Sequence, residues 1–157
     1  MTPEREKLVR ATWAKFEPKA ADHARFFYDK LFELDPESRT MFARANMNEQ
    51  RHRLMETLGE LVAELDDAER LINDLVVLGK RHLVYGVRDS DYDSAGVALL
   101  WTLEQALGPE FTPEARAAWI EAYHAIASVM RRVTTVVTGT HKADVIPSER
   151  SESRDLA

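Results

Sequence analysis

Among side chains able to ligate a metal or carry a proton near neutrality, this sequence offers five histidines and no cysteine. Thiolate chemistry, disulfides and cysteine nucleophiles are therefore excluded, and imidazole becomes the leading ligand type. His82 stands apart from the other histidines because it closes the series Leu71, Leu75, Leu78, His82, whose spacing places all four side chains on one helical face. An imidazole ending an apolar stripe is either a packed, hydrogen-bonded side chain or a neutral ligand to a metal held in apolar surroundings, and spacing alone does not choose. Tyr28, beside Phe27, reads on its own as core, as does Phe42. Gln50, at an expected helix start, reads as a solvated or capping side chain. His23, His124 and His141 lie at no metal-ligand spacing from a partner.

The elements that would position these residues read as helices. Six Gly and six Pro punctuate 157 residues, and the intervals between them repeat near 3.6 rather than alternating, so the chain is expected to be all-α with about six to eight helices. Thr2 and Pro3 form an N-cap and first-turn proline, and Pro18 ends the helix they open. A second helix, 19–34, carries Phe27, Leu31 and Phe32, and Asp35 with Pro36 begins a short turn with Phe42 just beyond it. The polar stretch 43–49 reads as a corner before a helix over 50–65 with Leu54, Leu58, Leu61 and Leu65 inward. Asp66 and Asp67 cap a helix over 68–84, and Gly86 leads through Ser90 into a helix stopped by Gly108 and Pro109. Thr112 and Pro113 open a last long helix facing inward through Trp119, Ile126, Met130 and Val133. Residues 1–137 are thus expected to form one domain, and 138–157, poor in large apolar side chains, a disordered tail.

Composition narrows the function. At 45% hydrophobic the chain can bury a core of single-domain size. With 21 cationic against 27 anionic residues, the net charge of −6 offers nucleic acid or an anionic membrane no basic footprint. The polar N-terminus and the lack of any run of about 18 apolar residues predict no membrane span and a cytoplasmic location. No internal repeat or Gly-rich phosphate loop supports nucleotide chemistry.

Three segments, in order along the chain, carry a family resemblance. RFFYDKLFELDPESRTMF (25–42), LGKRHLVYGV (78–87) and AAWIEAY (117–123) resemble the globin family over roughly residues 4–136, with the likeness nearest to single-domain bacterial globins, the haem domain of flavohaemoglobins and neuroglobin-like proteins. The resemblance implies a globin fold around haem b (iron protoporphyrin IX). By position it puts His82 on the proximal iron ligand, with Leu78 and Val87 bracketing it as cofactor contacts, and Phe42 against the porphyrin. It puts Gln50 on the distal residue, Leu54 one turn further in the same space, and Tyr28 over the bound gas. Arg53 becomes a candidate partner for a haem propionate, since guanidinium matches carboxylate geometry. His52 would reach the iron as a sixth ligand only after a shift of its helix; its spacing from Leu54 and Leu58 otherwise makes it a surface residue. Tyr92 falls where flavohaemoglobins place a tyrosine beside the ligand histidine, but Thr134 stands where that group has a glutamate, so the full proximal network is not expected.

What the resemblance implies about activity follows from the Tyr28 and Gln50 pair. Two neutral donors aimed at a gas that gains electron density would act as a small oxyanion hole and slow O2 release. Reversible binding of O2, NO and CO with high O2 affinity is therefore expected. NO dioxygenation to nitrate is the implied chemistry, with Tyr28 and Gln50 in catalytic roles and an external reductase restoring the iron. A monomer or weak dimer is expected. A haem-based gas sensor or redox protein, and a haem-free globin-like interaction module, are the competing readings.

Overall fold

A computed structural model gives the backbone of residues 1–141 and the side chains of residues 1–133. Six α-helices follow one another: α1 (Pro3–Phe16), α2 (Ala20–Leu34), α3 (Met47–Ala63), α4 (Ala68–Val84), α5 (Asp89–Leu107) and α6 (Pro113–His141). Tight 3-10 turns occupy Glu17–Lys19, Pro36–Phe42 and Gly108–Glu110, and no strand occurs among the described residues. The all-α expectation is met. No described helix is long and apolar enough to cross a membrane.

The helix starts follow local side-chain chemistry. Thr2 accepts from the Arg5 amide at 3.3 Å, Asn46 from the amides of Asn48 and Glu49 at 3.0 and 3.2 Å, and Asp67 from the Arg70 amide at 3.2 Å. Each cap satisfies donors that a first helical turn leaves unpaired, at about 1 kcal/mol apiece. Asn46 also explains a difference from the sequence expectation: α3 begins at Met47 rather than at residue 50, because the asparagine of the expected corner is itself the cap. The turn before it is longer than expected, and Phe42 is its last residue. Gly86, at φ 85°, lets the chain leave α4 in a left-handed conformation that a side chain would strain, and α5 resumes at Asp89. At the other end α6 continues to His141, so the first residues of the expected tail, 138–141, are still helix; the rest of that tail lies outside the described residues.

The main core joins α1, α2, α5 and α6. Phe16, Leu103 and Val9 are fully enclosed, and the rings of Trp13 and Trp119 meet at 6.2 Å. Burying a side chain of this size contributes roughly 1.5–3 kcal/mol, so a handful of them dominates the apolar driving force. A smaller cluster of Leu61, Leu75, Tyr92, Ala127 and Met130 joins α3, α4, α5 and α6. The buried face of α5 runs through Ala98, Leu99, Thr102 and Leu103, which leaves Val97 52% exposed.

Two glycines set the spacing around this second cluster. A Cβ at Gly79 would stand 3.4 Å from the Met130 backbone, so α4 lies close upon α6. A Cβ at Gly96 would meet Tyr123 Cε2 at 2.7 Å, closer than atoms can pack. Gly96→Ala is accordingly expected to destabilise the chain: overpacking costs about 1–3 kcal/mol while the gain in helix propensity returns only about 1 kcal/mol. A lower urea midpoint with an unchanged slope would show it.

Candidate cofactor-binding site

Above the smaller cluster opens a cleft of about 950 Å³, part of it solvent, lined from α2, the 36–42 turn and each of α3 to α6. The space within it that a water-sized sphere can occupy is about 150 Å³. Its walls are chiefly Leu, Phe, Ile, Ala and Met, with a few polar groups that converge on it.

His82 enters the cleft from α4. Its Nδ1 lies 2.8 Å from the Leu78 carbonyl oxygen one turn earlier. A carbonyl can only accept, so Nδ1 carries the hydrogen and Nε2 is left with its lone pair. Burial pushes the imidazole below the usual histidine pKa and the neighbouring Arg81 charge adds to this, against the opposing pull of the Leu78 carbonyl. The ring is thereby held neutral, as a metal ligand must be. Tyr92 on α5 lies nearly parallel to it, with centroids 6.3 Å apart and planes 20° from parallel. Tyr123 Oη donates to the Tyr92 carbonyl oxygen at 2.5 Å, and the Arg131 guanidinium stands 5.5 Å over the Tyr92 ring, so α6 braces the segment of α5 that faces the histidine.

Tyr28 enters the same cleft from α2. Gln50, fully buried on α3, donates from Nε2 to the Tyr28 hydroxyl oxygen at 3.0 Å. The phenol's own hydrogen remains available to point into the cleft. Burial drives the Tyr28 pKa well above its ordinary value, which keeps it a neutral donor. Phe42 packs edge-on against Tyr28 at 5.4 Å and Phe27 at 5.0 Å, fixing the ring. Gln50 Oε1 is buried without a hydrogen-bond partner, an arrangement that costs about 1–3 kcal/mol.

Seven of the residues singled out in the sequence line one cleft: Tyr28, Phe42, Leu54, Leu78, His82, Val87 and Tyr92. Two do not. Gln50 stands behind Tyr28 and reaches the cleft through that hydroxyl alone. Arg53 is absent from the lining and lies 3.8 Å from Glu49 on its own helix. His52 is exposed and within 3.0 Å of Glu56, as the surface reading of its spacing requires. Thr134 lies beyond the described side chains. Sequence reasoning missed Ser38, Thr57 and Asp91, polar residues of the lining. Asp91 belongs to the polar run after Gly86 that looked like a link, and its place three residues into a helix became visible only with the Arg88 boundary.

Among the described residues no three His, Cys, Asp or Glu side chains converge as a metal site. One neutral imidazole in an apolar cleft is poorly suited to a free ion, but it suits a metal whose remaining ligands arrive with a flat macrocycle. The single imidazole donor and the apolar lining of the cleft therefore fit such a group.

Comparison with known proteins agrees with this geometry. The globin family model matches residues 25–130. Neuroglobin of Danio rerio is 29% identical over 150 residues, covering 87% of this chain and 94% of that protein. Neuroglobin of Tetraodon nigroviridis is 28% identical over 152 residues, covering 88% and 95%. Among solved structures, a hexacoordinated haem protein from an anhydrobiotic tardigrade, crystallised at pH 4, has the same fold, with a TM-score of 0.78 at 16% identity over 85% of this chain and 95% of that one. With the family match spanning most of the helical chain and the helices arranged as in that solved protein, the chain belongs to the globin family.

Proposed function

We propose that this globin holds haem b in the cleft with His82 as its protein ligand, binds O2, NO and CO reversibly, and turns O2 and NO into nitrate with electrons from a separate reductase. The observation that carries the reading is the tautomer of His82: Nδ1–H is committed to the Leu78 carbonyl, so Nε2 offers its lone pair in the cleft that Tyr28 enters. When bound, the iron would supply the gas-binding position and the electron density that polarises the gas.

The chain's own residues do the rest. His82 supplies a neutral nitrogen, and Tyr92 beside it fixes the ring from one side. Tyr28 presents a hydroxyl hydrogen where negative charge develops, and the Gln50 amide holds that hydroxyl by donating to its oxygen. The leucine and phenylalanine walls exclude water, which strengthens each of these hydrogen bonds. His82 is the sole histidine among the described lining residues. The tardigrade protein is hexacoordinated; for this chain the exposed place of His52 supports a resting state without a second histidine.

Absorption spectra of the purified chain titrated with haem test the reading. A Soret band saturating at one haem per chain, a five-coordinate ferrous form and reversible O2 and CO spectra are expected. Nitrate should form from NO when O2 and a reductase are supplied. No Soret band on addition of haem would overturn the reading and leave a haem-free interaction module.

A further inference from the structure

Arg88 links the two ends of the cleft. Its Nη2 lies 2.8 Å from Asp35 Oδ2 and 2.8 Å from Asp91 Oδ1, its Nη1 2.6 Å from Glu37 Oε2, and its Nε 3.2 Å from Asp91 Oδ2. The Arg88 backbone amide donates to the same Asp91 Oδ2 at 2.7 Å. Asp35 caps the 36–42 turn, and its carbonyl takes the Ser38 hydroxyl at 2.7 Å, so that turn, which brings Phe42 to the cleft, is tied to Asp35. On the other side, Val87 donates its amide to the His82 carbonyl at 3.0 Å and itself lines the cleft. One guanidinium thus bridges the wall carrying Phe42 and the turn that follows His82.

Exposed ion pairs contribute little as a rule, and the Glu37 contact is of that kind, but the Asp91 end of this set is buried. Asp91 is 5% exposed and is the one acidic side chain among the described lining residues. Without the guanidinium its buried carboxylate would face Asp35 and the cleft with only the residue-88 backbone amide as donor, and a buried charge that loses its ionic partner is costly. Haem carries two carboxylates, so a bare Asp91 would also repel it.

We propose that Arg88 is a positioning residue for the cofactor: its fork to Asp35 and Asp91 clamps the 85–88 turn against the 36–42 turn and neutralises the acidic side chain of the cleft. The clamp rests on the haem reading of the cleft, but its mechanical half is measurable without haem. In the haem-free chain, Arg88→Met is expected to speed amide hydrogen exchange at Val87 and Asp91 about tenfold while amides of α1 keep their rate. In the haem-loaded protein the same variant should release haem to a scavenger about tenfold faster, Arg88→Lys should recover part of that, and added salt should speed release from the native chain more than from the variant. If Arg88→Met does not fold, Asp35→Asn, which leaves Asp91 paired, makes the same comparison across the clamp. Native exchange at Val87 overturns the clamp even where haem binds. Faster exchange at Val87 with haem release within about twofold of native overturns its role toward the cofactor. A chain that takes up no haem instead overturns the function proposed above, with the exchange result still deciding the clamp.

Discussion

Replacing His82 with alanine is expected to remove tight haem binding while leaving the helical chain folded. The imidazole is the one neutral nitrogen ligand presented to the cleft by the described residues. Losing an outer-shell partner of a metal ligand commonly costs 10–100-fold in affinity, so losing the ligand itself should cost at least about 100-fold. The fold is expected to tolerate the change. The hydrogen bond lost runs to the Leu78 carbonyl, which still accepts from the α4 backbone, and alanine favours helix, so stability should move by no more than about 1 kcal/mol. Haem titration gives the first quantity and circular dichroism in urea the second. His82→Gly sharpens the test, because imidazole added to the solution should restore haem uptake in a saturable way. Unchanged haem affinity in either variant would contradict the assignment.

Tyr28→Phe carries the second large effect. A hydrogen bond to a group that gains charge in a dry site contributes about 1.5–3 kcal/mol, so the O2 dissociation rate should rise about 10- to 150-fold, and autoxidation should quicken with it. The same substitution strips Gln50 of its partner in a fully buried position and should cost about 1–3 kcal/mol of stability. Gln50→Leu separates the two roles. It removes the buried amide altogether, so stability should change little, while Tyr28 keeps its hydrogen but loses the group that orients it. Gas release should then rise less than with Tyr28→Phe. Stopped-flow O2 displacement by CO reads both, and equal off-rates in native and Tyr28→Phe proteins would remove Tyr28 from its role.

Helical spacing made half of this site legible. Leu78 and His82 share a face because they lie four residues apart, and the structure keeps both in the cleft. Tyr28 was harder, since beside Phe27 and Leu31 it looks like core by type, and only its likeness to the family's second helix raised it. Gln50 read alone as a solvated or capping side chain because its helix was expected to start there; the helix starts at Met47 under the Asn46 cap, and Gln50 turns toward α2, where its amide meets the Tyr28 hydroxyl. Arg53, three residues later, stays with Glu49 at 3.8 Å. The acidic run around Asp91 hid for another reason. Alternating Asp and Ser look like a solvated link in one dimension, and the pairs that fasten this stretch, Arg88 to Asp35 and Glu37 and Arg131 to Asp93, span more than thirty residues of sequence. No local pattern encodes pairs at that separation.

The most direct test of the account is the low-frequency resonance Raman spectrum of the ferrous, gas-free protein made with isotopically labelled histidine. An iron–imidazole stretching band should appear, shift with the histidine nitrogen label and shift again with the iron isotope, as bonding from His82 Nε2 requires. Absence of that band, or a band indifferent to the histidine label, would show that the iron is held by something other than His82.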